Sequence, residues 1–255
     1  MFRGVAVSGY CRATSSLLWL MEARDFPITR VSVIEALASG DPEARRAAAD
    51  LVARAYWLPI AATLRTRWRL EPADAEDLTQ EFLAEALFKE WLARYDPAKA
   101  RFRTFLRMCL DRFAANALES SRRLKRGGGA TIVSLDDDLA PGESDVDADD
   151  RFRQEWVRSV FSLALTALRE EALNVGKEVH AAIFEAYDVA DADGERPSYR
   201  DLAERFSLPE TTITNHLAWA RRSFRRQVLS VLRSLAGSDA EYRQDVQELL
   251  GIRLP

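Results

Sequence analysis

The chain has 255 residues, of which 47% are hydrophobic and 30% are charged, and its formal net charge is −4. This composition excludes a wholly disordered chain, and the net charge excludes a uniformly basic nucleic-acid-binding protein. Two cysteines are too few for a disulfide framework, and no apolar run approaches the roughly 20 residues of a membrane span, so we expect a cytoplasmic protein without membrane insertion.

The N-terminal segment makes a poor signal peptide because its apolar run is broken. We interpret residues 1–28 as an extension that is either disordered or a mis-called start upstream of Met21. A first helical domain is predicted over residues 29–126. It opens with a helix, a turn at Gly40–Pro42 and a longer helix bent at Pro59.

The next segment, DAEDLTQEFLAEALF, combines an acidic row with an apolar row at helical spacing. The acidic row consists of Asp74, Asp77, Glu81 and Glu85. A metal site is disfavoured because no His or Cys accompanies the row. The residues themselves leave two interpretations open, a solvated surface and a docking face for a basic partner.

A turn, YDPAKARF, precedes a basic helix. From Arg101 to Arg126 there are eight Lys or Arg residues and two acidic ones. Basic residues interleaved with exposed aromatic rings suit single-stranded DNA, because the rings stack on unpaired bases. We expect Phe105 and Phe113 to be buried in the core, and Tyr95 and Phe102 to be exposed at the turn.

The composition then changes, since residues 134–150 contain eight acidic residues and no basic one. We assign residues 127–151 to a flexible acidic linker. Helices are predicted to resume at about Phe152, in a second domain over residues 152–235. Residues 236–255 form a tail to which the sequence assigns no role.

The second domain ends in a pair of helices, SYRDLAERF and ETTITNHLAWARRSFRRQVLSVLRSL, separated by SLP. This pattern is typical of a helix-turn-helix, with Ser198 as a cap and Pro209 before the second helix. In that motif the N-terminal half of the second helix faces base edges, where Thr and Asn can hydrogen-bond, and Arg residues suit phosphates. An ordinary amphipathic helix with a basic face is the alternative.

Three segments occur in the following order, with the acidic linker before the last: DAEDLTQEFLAEALF, RYDPAKARFRTFLRMCLDRF and SYRDLAERFSLPETTITNHLAWARRSFRR. Together they resemble regions 2 and 4 of bacterial RNA polymerase sigma factors of the extracytoplasmic-function type, the sigma-70 group 4, over roughly residues 30–235. The resemblance implies an all-α protein with two small helical domains, region 2-like and region 4-like, joined by an acidic flexible linker.

The resemblance implies three binding surfaces. The core-polymerase surface comprises Asp74, Asp77, Leu78, Gln80, Glu81, Phe82 and Glu85. The surface for the minus-ten promoter element comprises Tyr95, Lys99, Arg101, Phe102, Arg103, Arg107 and Arg112. The surface for the minus-thirty-five element comprises Thr211, Thr212, Thr214, Asn215, His216, Trp219, Arg221, Arg222 and Arg225.

The implied function is that of an alternative sigma factor, without catalysis, metal or cofactor of its own. Its partners are promoter DNA and the beta and beta-prime subunits of core RNA polymerase, and an anti-sigma factor or a regulatory kinase is a further candidate. The linker would thread the basic active-site channel of the polymerase, its acids mimicking a nucleic-acid backbone. One alternative is a sigma mimic that binds an anti-sigma factor and not DNA, against which the arginine cluster argues. The other is a conventional helix-turn-helix regulator, which has no need of the acidic row.

This chain departs from the family pattern at several positions. Trp219 stands where a basic residue is common, and Arg112 stands where Asn is common. The loop DVADADGERP is longer than usual, and EEALNVGKEVHAAIFEAY lacks the usual Leu-Pro and Arg. These departures leave the promoter sequence open.

Overall fold

The computed structural model of the protein describes residues 33–37, 39–88, 95–125, 145–190 and 196–254, and every regular element in these ranges is helical, as the sequence predicts. The helices are α1 Val33–Leu37, α2 Pro42–Thr66, α3 Pro72–Phe88, α4 Phe102–Lys125, α5 Asp145–Asn174, α6 Glu178–Phe184, α7 Tyr199–Phe206, α8 Glu210–Leu235 and α9 Asp239–Leu250. A π-helical turn, Glu185–Val189, continues α6. None of the helices in these ranges is long and apolar enough to span a membrane.

The described residues group into two compact units. Those of Val31–Ser159 and Ser234–Glu241 form the N-terminal unit, and those of Val160–Arg233 and Tyr242–Pro255 belong to the C-terminal unit. The first boundary falls within α5, whereas the sequence predicts it at the acidic segment 127–151. The predicted extension over residues 1–28 and most of the predicted linker lie outside the described residues.

Helix α5 begins at Asp145, although the acidic composition predicts helix only from about Phe152. Residues 145–151 are therefore helical and not part of an irregular linker. Two physical effects account for this. Acidic side chains are favourable in the first turns of a helix because they oppose the positive end of its dipole. In addition, Ala148 and Phe152 are buried, at 1% and 2% exposure, so this turn has an apolar face to pack.

The start of α2 follows from local chemistry. Pro42 occupies the first turn, where the missing N–H costs nothing, and the Asp41 carboxylate accepts a hydrogen bond from the Glu43 amide at 3.0 Å. This confirms the turn predicted there. The helix continues through Pro59, whose carbonyl accepts a hydrogen bond from Thr63 Oγ1 at 2.8 Å.

The core of the N-terminal unit is built around aromatic rings. Tyr56 of α2 contacts Phe102 of α4 at 5.7 Å between ring centroids, and Phe152 of α5 at 6.3 Å. Phe82 of α3 packs against Phe113 of α4 at 5.5 Å. All five are buried, so these rings fix the positions of α3 and α4 relative to α2.

In the C-terminal unit, Phe224 of α8 is the common contact. Its ring lies 6.0 Å from that of Phe161 in α5 and 5.1 Å from that of Phe184 in α6. The tail, for which the sequence predicts no structure, contains α9, and its residues Val246 and Leu250 are buried.

Candidate nucleic-acid interface

The acidic row on α3 lies on the solvent side of the helix. Asp74, Asp77 and Glu81 are exposed, and within the described part of the chain they form no ion pair. Gln80 is exposed beside them, while Leu78 and Glu85 are half-buried. Asp74, Asp77 and Glu81, three exposed carboxylates on one helix face, form a negative surface, which we call the acidic face.

The apolar side of α3 faces the core. Phe82 is fully buried and Leu83 is 4% exposed. Phe82, which the resemblance assigns to the core-polymerase surface, is therefore not accessible to a partner in this structure, because its ring is packed against Phe113. The acidic face offers charge, with Leu78 as its half-buried apolar member.

The turn before α4 is present as predicted, and the Asp96 side chain accepts a hydrogen bond from the Ala98 amide at 3.0 Å. That amide and Lys99 lower the pKa of Asp96. The prediction that Tyr95 and Phe102 are exposed is wrong. Tyr95 is 9% exposed and Phe102 is 0% exposed, and their rings meet at 5.4 Å. Sequence spacing at a turn carries no information on which distant residues cover it.

Two of the five predicted minus-ten cations, Arg103 and Arg107, are buried and engaged within the N-terminal unit. The guanidinium of Arg103 lies over the ring of Trp156, 4.8 Å from its centroid. Arg107 forms ion pairs with Asp111, at 2.7 Å, and with Asp149. Both arginines are 7% exposed. Of the seven residues predicted for this surface, Lys99 and Arg112 are exposed and Arg101 is half-buried.

Helices α7 and α8 have the helix-turn-helix connection that the sequence predicts. Ser198 and Asp201 form a reciprocal capping box at the start of α7. The chain leaves α7 through Ser207 in the left-handed conformation, with φ of 54°, and Pro209 precedes α8. Leu202, Ile213 and Leu217 are buried. Burial of these apolar side chains fixes which face of each helix is left outside.

The outward face of α8 is polar in its first half. Thr211, Thr214 and Asn215 are exposed, Thr212 is half-buried, and Arg222 is exposed two turns further along. Thr214 Oγ1 donates a hydrogen bond to the Glu210 carbonyl at 3.2 Å. Thr211, Asn215 and Arg222 recur at helical spacing, so they share one face, which we call the recognition face.

No family model matches the chain, and neither does any curated protein or solved structure. The geometry of its own residues is therefore what bears on function. In the ranges that the structure describes, no three His, Cys, Asp or Glu side chains are grouped so as to hold a metal ion.

His216 and Trp219, both predicted to contact DNA, instead pack against residues at the start of α6. The rings of His216 and His180 meet edge to face at 3.7 Å, and Trp219 lies 5.3 Å from His180. The ammonium group of Lys177 lies 4.7 Å from the centre of the Trp219 ring. The structure therefore favours a packing role for Trp219 and His216. Nothing in the sequence pairs His180 with His216.

This histidine pair has lowered pKa values. Burial, with His216 and Lys177 close by, lowers the pKa of His180 from 6.5 to about 4. Burial and Lys177 also lower the pKa of His216, whose Nδ1 lies 2.9 Å from the Thr212 carbonyl oxygen. Both rings are therefore neutral at pH 7.

Stability against unfolding is expected to fall as the pH is lowered from about 6.5 towards 4. The unfolded state binds more protons than the folded state in this window, because the pKa of His180 is about 4 when folded and 6.5 otherwise. The contribution of neutral His180 to the free energy of unfolding is fully present above pH 6.5 and is lost as the pH falls towards 4. Urea denaturation of wild type and His180→Phe across this range tests it. An equal pH dependence in the two proteins would contradict the prediction.

The arginines of α8 differ in their surroundings. Arg221 makes two contacts with Asp188, at 2.8 and 3.1 Å, and lies near the Tyr187 ring. Arg226 donates to Glu171 at 2.5 Å. Arg225 is 4% exposed, and burial lowers its pKa. Sequence reasoning missed both acidic partners, which lie far from these arginines in the chain.

Arg222 differs from Arg221 and Arg225, the other two arginines of α8 that were predicted to contact DNA. It is exposed and pairs with no acidic residue in the described ranges. Arg221 and Arg225, predicted to hold phosphates, are instead committed to the packing of the C-terminal unit.

Replacing Arg221 with Ala is expected to lower the free energy of unfolding by about 1–2 kcal/mol. The Asp188 carboxylate, only 4% exposed, would keep Arg196 and lose its other cation. The matched variant Arg222→Ala should stay within about 0.5 kcal/mol of wild type, because its side chain is exposed. Urea denaturation of the two variants measures the difference. Equal stabilities would show that the Asp188 pair contributes nothing.

Proposed function

We propose that the protein is an alternative sigma factor of the extracytoplasmic-function type. It binds core RNA polymerase in the cytoplasm, recognises minus-thirty-five and minus-ten promoter elements, and promotes transcription initiation. The polymerase supplies the catalysis. The basis is the order of three sequence segments together with the geometry of the surfaces that they form.

The acidic face is the observation that carries the proposal. A helix whose exposed Asp74, Asp77 and Glu81 have no ion-pair partner in the described part of the chain holds a concentrated negative charge on a rigid support. Complementary charge at an interface steers association and fixes register. In the sigma factors that this chain resembles, the corresponding helix docks on the polymerase clamp, which would supply the opposite charge.

The recognition face supports the DNA-binding part of the proposal. Its exposed Thr211 and Asn215, with exposed Thr214 beside them, precede Arg222 on the second helix of a helix-turn-helix. Side chains at the N-terminal half of such a helix reach base edges in the major groove, and cations further along meet phosphates.

The proposed contact with the minus-ten element requires a rearrangement. Tyr95 and Phe102 are buried in the structure, so an unpaired base cannot stack on either ring until the residues that cover them move. Exposed Arg112 remains available to phosphates, whereas Lys99, also exposed, forms an ion pair with Asp96 at 3.2 Å.

One observation favours the sigma mimic as a second candidate. Arg221 and Arg226 pair with acidic residues of the chain and Arg225 is buried, so the arginine cluster argues less strongly for DNA than its sequence suggests. A mimic would keep the acidic face and dispense with Arg222.

The deciding experiment is binding of the purified full chain to bacterial core RNA polymerase by size-exclusion chromatography. The reconstituted complex is then used for transcription from a genomic promoter library. Co-elution together with specific transcripts supports the sigma factor. Co-elution without transcripts, or absence of co-elution, contradicts it, and binding to an anti-sigma factor alone favours the mimic.

A further inference from the structure

A buried carboxylate from the first turn of α9, that of Glu241, lies at the start of α4. Glu241 is 6% exposed, and its interactions include three hydrogen bonds that its carboxylate accepts. The donors are the backbone amide of Phe102 at 2.9 Å, the hydroxyl of Tyr95 at 3.2 Å and the amide of Gly237 at 2.9 Å. The Phe102 amide is one of the N–H groups in the first turn of a helix that have no acceptor within the helix itself. This position favours an anion.

The backbone that carries Glu241 lies directly on Tyr95. A Cβ atom added to Gly237 would lie 2.3 Å from the Tyr95 hydroxyl oxygen and 2.5 Å from its ring. Only glycine permits this approach. Residues 236–241, which we call the cover segment, therefore exclude any other group from that side of the Tyr95 ring.

A second acidic residue engages the same helix. Asp149, near the start of α5, forms an ion pair with Arg107 of α4, and Asp111 pairs with the same guanidinium at 2.7 Å. Asp149 belongs to the acidic stretch 134–150. Thus α4 binds two carboxylates from segments far apart in the sequence. Glu241 accepts from the Phe102 amide, and Asp149 pairs with Arg107.

We propose that the cover segment, with Asp149, holds the N-terminal unit in an autoinhibited state in which the protein's own carboxylates take the contacts of a DNA strand. The inference rests on the proposed function, because that function assigns Tyr95, Phe102 and Arg107 to single-stranded DNA. A phosphate and a carboxylate both bind helix N-terminal amides and arginines, so they compete for these groups. Release of Glu241 would free the Tyr95 hydroxyl and the Phe102 amide together.

The size of the effect follows from the fraction of open molecules. When only the open state binds, the apparent affinity for DNA falls in proportion to its population. A closed state favoured about tenfold lowers the affinity about tenfold, and variants that open the cover should restore it.

Two variants open the cover by different means. Glu241→Gln keeps the shape of the side chain and removes its charge, whereas Gly237→Ala places a methyl group against the Tyr95 ring. The matched controls are Glu248→Gln, the same change at an exposed residue of α9, and Gly40→Ala, which meets no atom within 4 Å.

The assay is fluorescence anisotropy of a fluorescein-labelled, random-sequence, single-stranded 20-mer with each full-length protein. Glu241→Gln and Gly237→Ala should bind about tenfold more tightly than wild type, and the two controls should not change. No gain in either variant, or an equal gain in the controls, would overturn the proposal.

Hydrogen exchange of the wild-type chain removes the dependence on variants. Saturating 20-mer should speed exchange of backbone amides in residues 236–245 and slow it in residues 95–103. Unchanged exchange in both segments would overturn the proposal. Chromatography with core RNA polymerase separates the autoinhibition proposal from the proposed function. If the variants bind DNA more tightly but the protein does not bind polymerase, autoinhibition is supported and the sigma factor is rejected. If the protein binds polymerase but the variants gain no affinity for DNA, only autoinhibition is rejected.

Discussion

Reversing the charge of Asp77 and Glu81 to Lys is expected to weaken binding to core RNA polymerase by about 100-fold or more. Both side chains are exposed on the acidic face and form no ion pair in the described ranges, so the substitution leaves no internal partner behind. Like-charge contact at an interface costs several kcal/mol, and about 2.7 kcal/mol corresponds to 100-fold. Binding is measured by titrating labelled core polymerase with each protein.

The control for this variant is Glu170→Lys combined with Glu178→Lys. It makes the same change in net charge at two exposed acids of the C-terminal unit, so it reports any effect of total charge. Both double variants should unfold in urea near the wild-type midpoint, because surface substitutions of this kind change stability by only about 0.5 kcal/mol. If the α3 variant binds as tightly as wild type, the acidic face is a solvated surface.

Elements whose boundaries depend on local chemistry could be predicted from the sequence. Asp41 and Pro42 begin α2, and Ser198 with Asp201 begins α7, because caps act through the backbone of their own first turn. The turn at Ser207–Pro209 follows from the same kind of signal. These rules are independent of the rest of the fold, and so the helix-turn-helix could be located without a structure.

The acidic composition of residues 145–151 led to a wrong prediction, because the spacing of apolar residues in the same region indicates a helix. The acids of residues 145–151 predict an irregular linker, yet Ala148, Phe152 and Trp156 recur at every fourth position and are buried on one face of α5. The same spacing of Tyr242, Val246 and Leu250 marks α9 in the tail. A search for period alone would have found both helices.

The identity of exposed residues could not be predicted, because it depends on contacts between distant segments. Tyr95 and Glu241 are 146 positions apart, and Arg221 and Asp188 are 33 apart. No local pattern links either pair, so Tyr95 and Arg221 look available when the sequence alone is considered. Of the predicted DNA-binding arginines of α8, only Arg222 keeps the exposure that the prediction needs.

The recognition face gives the second large prediction, which separates contacts to bases from contacts to the backbone. Asn215→Ala is expected to reduce discrimination at one or two base pairs by roughly 1–3 kcal/mol, about 5- to 150-fold. The Asn amide can make paired hydrogen bonds to adenine, and Asn215 is exposed in the half of α8 that the proposed function places in the major groove. Discrimination at the other base pairs of the DNA site should be unaffected.

Arg222→Ala is expected to act differently, weakening binding to all sequences alike. Loss of one phosphate contact lowers the slope of log affinity against log salt by about one. Arg221→Ala removes the same charge from a side chain that is bound to Asp188, so it is the matched control and should leave the slope unchanged. The contrast between adjacent arginines tests the structure more sharply than removal of the whole cluster, because only exposure and pairing differ between them.

The measurement is a titration of a duplex promoter library at two salt concentrations, with the full chain and with the polymerase complex run side by side. The complex is included because, under the proposed function, the polymerase would add further contacts to DNA. Without those contacts, weak binding of the full chain could hide a sequence preference. If α8 reads DNA, Asn215→Ala should discriminate less between bases at one or two positions. The slope of log affinity against log salt should be lower in Arg222→Ala and unchanged in Arg221→Ala. If neither form prefers any sequence and Arg222 proves silent, then α8 is an amphipathic packing helix and the mimic replaces the sigma factor, since the acidic face would then act without a DNA-reading surface.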